Sequence, residues 1–241
     1  MTVWDKYWQE TKFNDDLIIN NLKKSHFWKE LKQEILLNFG TFKNLKIVEL
    51  GSGRGEMSLL MALEGANITL IDESDFALIE AKKLYSKFKC KVKLERKDLF
   101  ELKPGKYDIC LSFGLAEHFK DEKRLEVIKK HYDLIAKNGI IILSVPNTKS
   151  FPYRIYKSLT SLVGLWKYGL EIPYSEKELL AISKKLSITK YKIIRSSFLN
   201  TFYHFLIMNP LKILGLHLKE RFMDTKFLNK YGYALIFVGE K

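Results

Sequence analysis

At 241 residues, 46% hydrophobic and 29% charged, the chain has room for one generous α/β domain that needs no disulfides, and too little for two full domains. Its two cysteines, Cys90 and Cys110, make neither a disulfide framework nor a zinc cluster, so the reducing cytoplasm is the expected compartment. The net charge of +13 is uneven, with 15 Lys/Arg against 6 Asp/Glu in residues 151–241; this suits anionic partners such as phosphorylated small molecules, acidic lipids or nucleic acid, or else is lysine solvating an ordinary surface.

The opening Met1 to Lys6 lacks a basic patch followed by an apolar core, so no signal peptide is expected. Trp4, Tyr7, Trp8 and Phe13 read either as a helix face packed inward or as a cover over a ligand mouth. Across residues 15–39, Leu17, Ile18, Leu22, Phe27, Leu31, Ile35 and Leu36 recur at nearly helical spacing and predict one long or two short helices, making residues 1–44 an N-terminal helical segment. Lys46–Leu50 (KIVEL) is a short apolar run into glycines, as in a buried parallel strand. A helix over 56–64, a strand over 67–71 and a helix over 75–88 follow. Residues 90–95 alternate lysines with Val92 and Leu94, the pattern of a protected sheet edge.

Tyr107–Phe113 (YDICLSF) predicts a fourth strand, 121–137 an amphipathic helix stopped by Asn138-Gly139, and 140–145 a fifth strand closed by Pro146-Asn147. Ile155, Leu159, Leu162 and Trp166 mark a helix whose apolar stripe reads as core, and whose place after the fifth strand suits a lid over 151–174. Ser175, with Glu178 three residues on, caps a helix over 175–186. Closing strands are expected at 188–196 and 233–238, with an aromatic-rich insert at 198–231. The apolar run 198–218 is broken by Asn209-Pro210 and by Lys212, too interrupted to span a bilayer, though peripheral membrane contact is open. Strand–helix alternation of this kind means a doubly wound, mostly parallel sheet with helices on both faces.

The chemistry concentrates in Val48-Glu49-Leu50-Gly51-Ser52-Gly53-Arg54-Gly55. Closely spaced glycines between a strand and a helix allow a tight turn and let a ligand touch bare backbone. A dinucleotide loop would place glycine where Glu56 stands, and a carboxylate on the first helical turn opposes a pyrophosphate; no Gly-Lys-Ser/Thr is present for an ATP-type loop. The pattern E-x-G-x-G-x-G instead resembles the first motif of the class I, Rossmann-like, S-adenosylmethionine-dependent methyltransferases of small-molecule type. Asp72, Lys97-Asp98-Leu99, the turn Phe113-Gly114-Leu115-Ala116-Glu117-His118 and the run Ile142 to Asn147 resemble later landmarks of the same family, in order.

The resemblance implies a seven-stranded methyltransferase domain over residues 45–241, with a helical lid and insert. It also implies a cofactor, S-adenosylmethionine, leaving as S-adenosylhomocysteine and held by Glu49, Gly51, Ser52, Gly53, Gly55, Asp72, Glu73, Asp98, Leu99 and Phe113. Asp72 would clasp the ribose hydroxyls and Asp98 the adenine amine; each also reads as a helix cap or turn residue, and Glu49 as a brace for the loop. His118 and Glu117 are candidate catalytic bases or corner residues. No metal ligands are expected, since His/Glu clusters at metal spacing are not evident. The acceptor is expected to be a small or lipid-like molecule, methylated at oxygen, carbon or nitrogen. RNA is a rival supported by charge alone, because the Asn/Asp-Pro-Pro-aromatic motif and the loop cysteine of nucleic-acid enzymes are missing. A non-catalytic S-adenosylmethionine-binding protein and a nicotinamide-dependent oxidoreductase are the competing classes.

Overall fold

The computed structural model describes residues 3–213 and 228–241. Three N-terminal helices, α1 (Val3–Glu10), α2 (Asp15–Lys24) and α3 (His26–Phe39), precede alternating strands and helices: β1 (Lys46–Leu50), α4 (Glu56–Leu63), β2 (Asn67–Asp72), α5 (Asp75–Lys87), β3 (Lys93–Arg96), β4 (Tyr107–Phe113), α6 (Glu122–Leu134) and β5 (Ile135–Pro146). Then come α7 (Phe151–Leu162), α8 (Glu176–Lys185), β6 (Tyr191–Arg195), α9 (Phe198–Tyr203), a π-helical turn His204–Met208, α10 (Asn209–Ile213) and β7 (Ala234–Glu240). Residues 15–39 thus form two helices. Ser25 separates them, its hydroxyl accepting the Trp28 N–H as N-cap of α3. The part of the 198–231 insert from 214 to 227 lies outside the described residues.

Among the described residues seven strands form one sheet in the order β3-β2-β1-β4-β5-β7-β6, parallel except for β7, which runs antiparallel to both neighbours. β1, β2 and β4 are buried on both faces, as their unbroken apolar runs require. One face packs on α2 to α5 through Ile19, Trp28, Leu31, Leu60 and Leu84; the other packs on α6 and α8 through Val127, Ile128 and Leu179. The chain moves outward from β1 to β3, then returns to β4 on the other side. This opens a crevice at the carboxyl ends of β1 and β4, where such sheets bind ligands.

Three expectations are corrected. The third strand is shorter than 90–95, because the Cys90 N–H closes α5 on the Tyr85 carbonyl (2.9 Å) and pairing begins at Lys93. Helix α6 stops at Leu134, before Asn138-Gly139, since Ile135 already pairs with Tyr107 and the ladder shifts register before Ile109. Asn138, at φ +67°, and Gly139 belong to that irregular strand start. A Cβ on Gly139 would lie 2.9 Å from Ile135 Cβ and 3.0 Å from the Asp108 carbonyl, so only glycine fits. On α7 the Ile155, Leu159 and Leu162 stripe faces out, at 45%, 60% and 84% exposure, while Tyr153 and Thr160 are buried.

The capping box at Ser175 is half made. Its hydroxyl accepts the Glu178 N–H (3.1 Å), but the Glu178 carboxylate turns to Arg124 (2.6 Å). Asn147 ties the end of β5 to the C-terminal strand by donating to the Lys230 and Gly232 carbonyls, both at 3.0 Å. None of the described helices is long and apolar enough to cross a membrane.

His131 of α6 is fully buried, its Nδ1 2.7 Å from the Val127 carbonyl and its Nε2 unpartnered. Burial lowers its pKa to about 4. The folded pKa lies below the ordinary value of 6.5, so the stability of the neutral ring is fully present above pH 6.5 and is lost as pH falls toward 4. Denaturant unfolding should show about 3 kcal/mol less stability at pH 4 than at pH 7 from this residue. His131→Gln should flatten that slope; an unchanged slope would place the acid sensitivity elsewhere.

Candidate active site

The turn after β1 is shaped by glycines with left-handed backbone, Gly51 at φ +56° and Gly53 at φ +52°. A Cβ on Gly51 would sit 2.5 Å from Leu115 Cδ1, and one on Gly53 2.5 Å from Trp8 Cζ2. The bare faces of the loop are therefore met by the turn after β4 on one side and by α1 on the other. Gly55 is different: its place is under the loop, where a Cβ would strike Leu70 at 2.6 Å and its carbonyl accepts the Tyr85 hydroxyl (3.1 Å), so it serves helix–sheet packing and does not line the cavity.

Asp72, at the tip of β2, holds this loop in register. Oδ2 accepts the Gly53 N–H (2.8 Å) and Oδ1 the Ser74 N–H (2.9 Å), and the carboxylate keeps lone-pair capacity for a ligand. Burial raises its pKa despite these bonds. The next residue, Glu73, is exposed at the rim. Glu49, buried on β1, accepts the Ser58 hydroxyl (2.5 Å); desolvation pushes it up to about 8. It both braces α4 and lines the cavity. Asp98 caps the 3-10 turn Leu99–Glu101 by accepting the Phe100 N–H (2.8 Å) and also lines the wall, beside Leu99. Phe113 stands opposite, edge-on to Phe27 at 5.5 Å.

Sequence reasoning missed how the N-terminal segment is fastened here. Arg54, only 1% exposed, bonds to Asp15 and stacks over the Phe13 ring at 3.8 Å. The Ser74 hydroxyl donates to Asp5 of α1 (2.7 Å). Trp4 lies edge-on to His118 at 5.1 Å. The helix that carries Trp4, Tyr7 and Trp8 buries none of its residues fully, yet lines the cavity. It is a cover, one of the two readings open from sequence.

Beyond the 3-10 turn Ala116–His118 the cavity widens into a ring-lined chamber. Glu117 is 2% exposed, with no partner on Oε2, and burial pushes its carboxyl up to about 8. His118 holds the Leu170 carbonyl at 2.5 Å through Nδ1; a carbonyl only accepts, so Nδ1 carries the proton and Nε2 is the basic nitrogen. Tyr153 and Tyr156, on the inward face of α7, and Glu171 went unnoticed in the sequence. The signal available was the second face of the α7 helical period, opposite the outward stripe. The Tyr153 hydroxyl donates to Glu171 (2.7 Å), and its ring meets Tyr233 at 5.1 Å and Phe205 at 5.6 Å.

Loop, Asp72, Asp98, Glu117 and the chamber border one cavity of about 1470 Å³, room for two small molecules side by side. Its wall carries ten carboxylates against two cations, Arg96 and Lys97, so the basic excess of the chain lies elsewhere. S-adenosylmethionine fits this donor set. Its sulfonium and ammonium would be cations among carboxylates, and Asp72, Asp98, Leu99 and Phe113 line the same cavity as candidate partners for its ribose and base.

Among curated relatives, the ubiquinone biosynthesis O-methyltransferase of Pelagibacter ubique (strain HTCC1062) is 29% identical over 159 residues, 63% of this chain and 64% of that protein. The chain spans less than two thirds of the length of the curated relatives it matches. The magnesium protoporphyrin IX methyltransferase of Synechocystis PCC 6803, solved with bound S-adenosylhomocysteine, shares the fold at TM-score 0.62 and 17% identity over 99% of this chain and 92% of that one. So does the 1,6-didemethyltoxoflavin-N1-methyltransferase of Burkholderia thailandensis, at TM-score 0.59 and 13% identity over 91% and 80%. Residues 41–191, well over half the chain, match the family model described as a methyltransferase domain, and to that methyltransferase family the chain belongs.

Proposed function

We propose that this chain transfers the methyl group of S-adenosylmethionine to a small, ring-bearing acceptor held in the chamber beside Glu117. The observation that carries the reading is the single cavity running from the glycine loop and Asp72 into a pocket walled by Tyr153, Tyr156, Trp166 and Tyr168. When bound, the cofactor supplies an activated methyl on a good leaving group, so alignment does most of the work. Gly51 and Gly53 shape the turn along which the amino acid end lies, Asp72 takes the ribose hydroxyls, and Asp98 with Leu99 and Phe113 takes the base; Glu73 adds charge at the rim. Residues 151–174 and α1 act as lids that exclude water. The Nε2 of His118 is a group that can take a proton where the acceptor must lose one, and Glu117, pushed up to about 8, can do so once it is ionised.

An acidic, roofed wall argues against RNA, whose backbone asks for cations, and equally against the anionic acceptor that the net charge suggested. Glu56, first residue of α4 and on the cavity wall, argues against a pyrophosphate-bearing nicotinamide cofactor. The free thiols Cys90 and Cys110 suit a cytoplasmic site of action. Calorimetry should register binding of S-adenosylhomocysteine and none of the nicotinamide cofactors; the reverse would overturn the reading. Methyl-labelled cofactor incubated with small-molecule, lipid and RNA fractions of source cells should label the small-molecule fraction. Tight cofactor binding with no labelled fraction would instead favour a non-catalytic binding protein.

A further inference from the structure

The carboxylates on the cavity wall fall into two electrostatic groups. Glu56 and Asp72 both press on Glu49 around the glycine loop. In the chamber the charged groups that press on Glu117 are Glu171, Arg124 and Lys157, none of them from the loop. The first group has the cations of S-adenosylmethionine to meet. The second has no such ligand.

Arg124 and Lys157 are cations near enough to favour the charged form of Glu117, but neither donates a hydrogen bond to its carboxylate. Arg124 approaches it from α6, but its guanidinium is committed to Glu178 at 2.6 and 3.1 Å, to the Ile172 carbonyl at 3.0 Å and to the Pro173 carbonyl at 3.3 Å, and lies over the Tyr174 ring at 3.6 Å. Lys157 of α7 donates to the main-chain carbonyl of Glu171, not to a carboxylate, and sits 5.3 Å from the Trp166 ring centre. Glu171 has the Tyr153 hydroxyl on Oε1. Glu117 Oε2 has nothing. A buried carboxylate oxygen without a donor costs a full desolvation penalty, so a group of this kind calls for a donor that the resting protein does not hold. Around it stand the rings of Tyr153, Tyr156, Trp166, Tyr168, Phe205 and Tyr233, whose faces carry the negative side of the ring quadrupole. Glu171, a Glu117 carboxyl that an arriving cation would ionise, and six aromatic side chains make a site for a cation.

We propose that the acceptor of this methyltransferase carries an amine, bound as its ammonium cation by Glu117 and Glu171 within the ring-lined chamber. The inference rests on the proposed methyl transfer and narrows its substrate class. The ammonium donates to Glu117 Oε2 and shares the field of Glu171, while the carbon skeleton lies against the rings. A neutral alcohol of the same shape satisfies only the hydrogen bond, and a carboxylate of the same shape meets the negative Glu171 and would force Glu117 to keep its proton.

The test uses the full chain saturated with S-adenosylhomocysteine and three matched sets of probes: tryptamine, tryptophol and indole-3-propionate; tyramine, tyrosol and 3-(4-hydroxyphenyl)propionate; hexylamine, hexanol and hexanoate. Calorimetry should find, in at least one ring-bearing set, the amine bound tenfold or more tightly than the alcohol, with the acid weakest. Glu117→Gln and Glu171→Gln should each remove most of that amine preference and leave alcohol affinity nearly as it was. If the amine leads its alcohol in no set, or a carboxylate leads any, the proposal fails. It also fails if both variants keep the preference of the parent. Retained S-adenosylhomocysteine affinity reports that each variant has folded. Absence of any amine preference in a parent chain that binds S-adenosylhomocysteine overturns this inference alone, whereas a parent chain that does not bind S-adenosylhomocysteine would overturn the methyl-transfer reading beneath it.

Discussion

Asp72→Ala should weaken S-adenosylhomocysteine binding about a hundredfold, equivalent to about 2.7 kcal/mol. The carboxylate has two duties. Its oxygens accept the Gly53 and Ser74 N–H groups and so fix the loop, and its remaining lone-pair capacity is what the proposed function assigns to the sugar. Hydrogen bonds to a charged group contribute about 1.5–3 kcal/mol each, so losing the set outweighs any relief of the buried charge. Asp72→Asn should fall between parent and alanine variant, because the amide keeps one accepting oxygen and turns two donors toward groups that also donate. Calorimetry on the three proteins decides the matter. An alanine variant that binds as tightly as the parent would take Asp72 out of the site.

The second large effect should come from Gly53→Ala, expected to slow methyl transfer about a hundredfold, on the scale of a 1 Å misplacement at a reacting centre. Two costs combine. A side chain at φ +52° is strained by about 1–2 kcal/mol, and the added methyl would lie 2.5 and 2.7 Å from two atoms of the Trp8 ring, pushing α1 off the loop. The costs are separable. Trp8→Ala removes the clash and leaves the strain, so the double variant should recover part of the methyl-transfer rate and melting temperature lost in Gly53→Ala, a favourable coupling in a double-mutant cycle. Strict additivity would mean that α1 does not rest on the loop in solution.

Both effects turn on a residue the sequence placed and a partner it did not. Gly53 and Asp72 were legible because a βαβ unit is local: a strand, a turn and a helix follow one another, the crossover has one hand, and the tip of β2 must fall beside the loop after β1. Trp8 was legible only as one of four aromatics with two readings. Nothing in the spacing of Arg54, Asp15 and Phe13 announces that they stack and pair, since their contact runs between elements that share no period.

Errors followed the same line. The Asn138-Gly139 pair is a sound local stop signal, yet β4 captured Ile135 and ended α6 earlier. The Ile155, Leu159 and Leu162 stripe is a sound amphipathic pattern, yet Tyr153 turned inward because its hydroxyl has Glu171 to bond and its ring has Tyr233 and Phe205 to meet. Periodicity reports that a helix has two faces; it does not say which face the rest of the chain will cover.

The amino-acid sequence therefore decided the doubly wound sheet, the glycine loop and the acid one strand over, all features whose causes lie within some thirty consecutive residues. Tertiary structure alone decided that α1 roofs the loop, that Gly55 packs below it, and that Glu117 and Glu171 share one ring-lined chamber. Those arrangements depend on side chains meeting across the fold, where burial and unpartnered charge, not spacing along the chain, select what lies together.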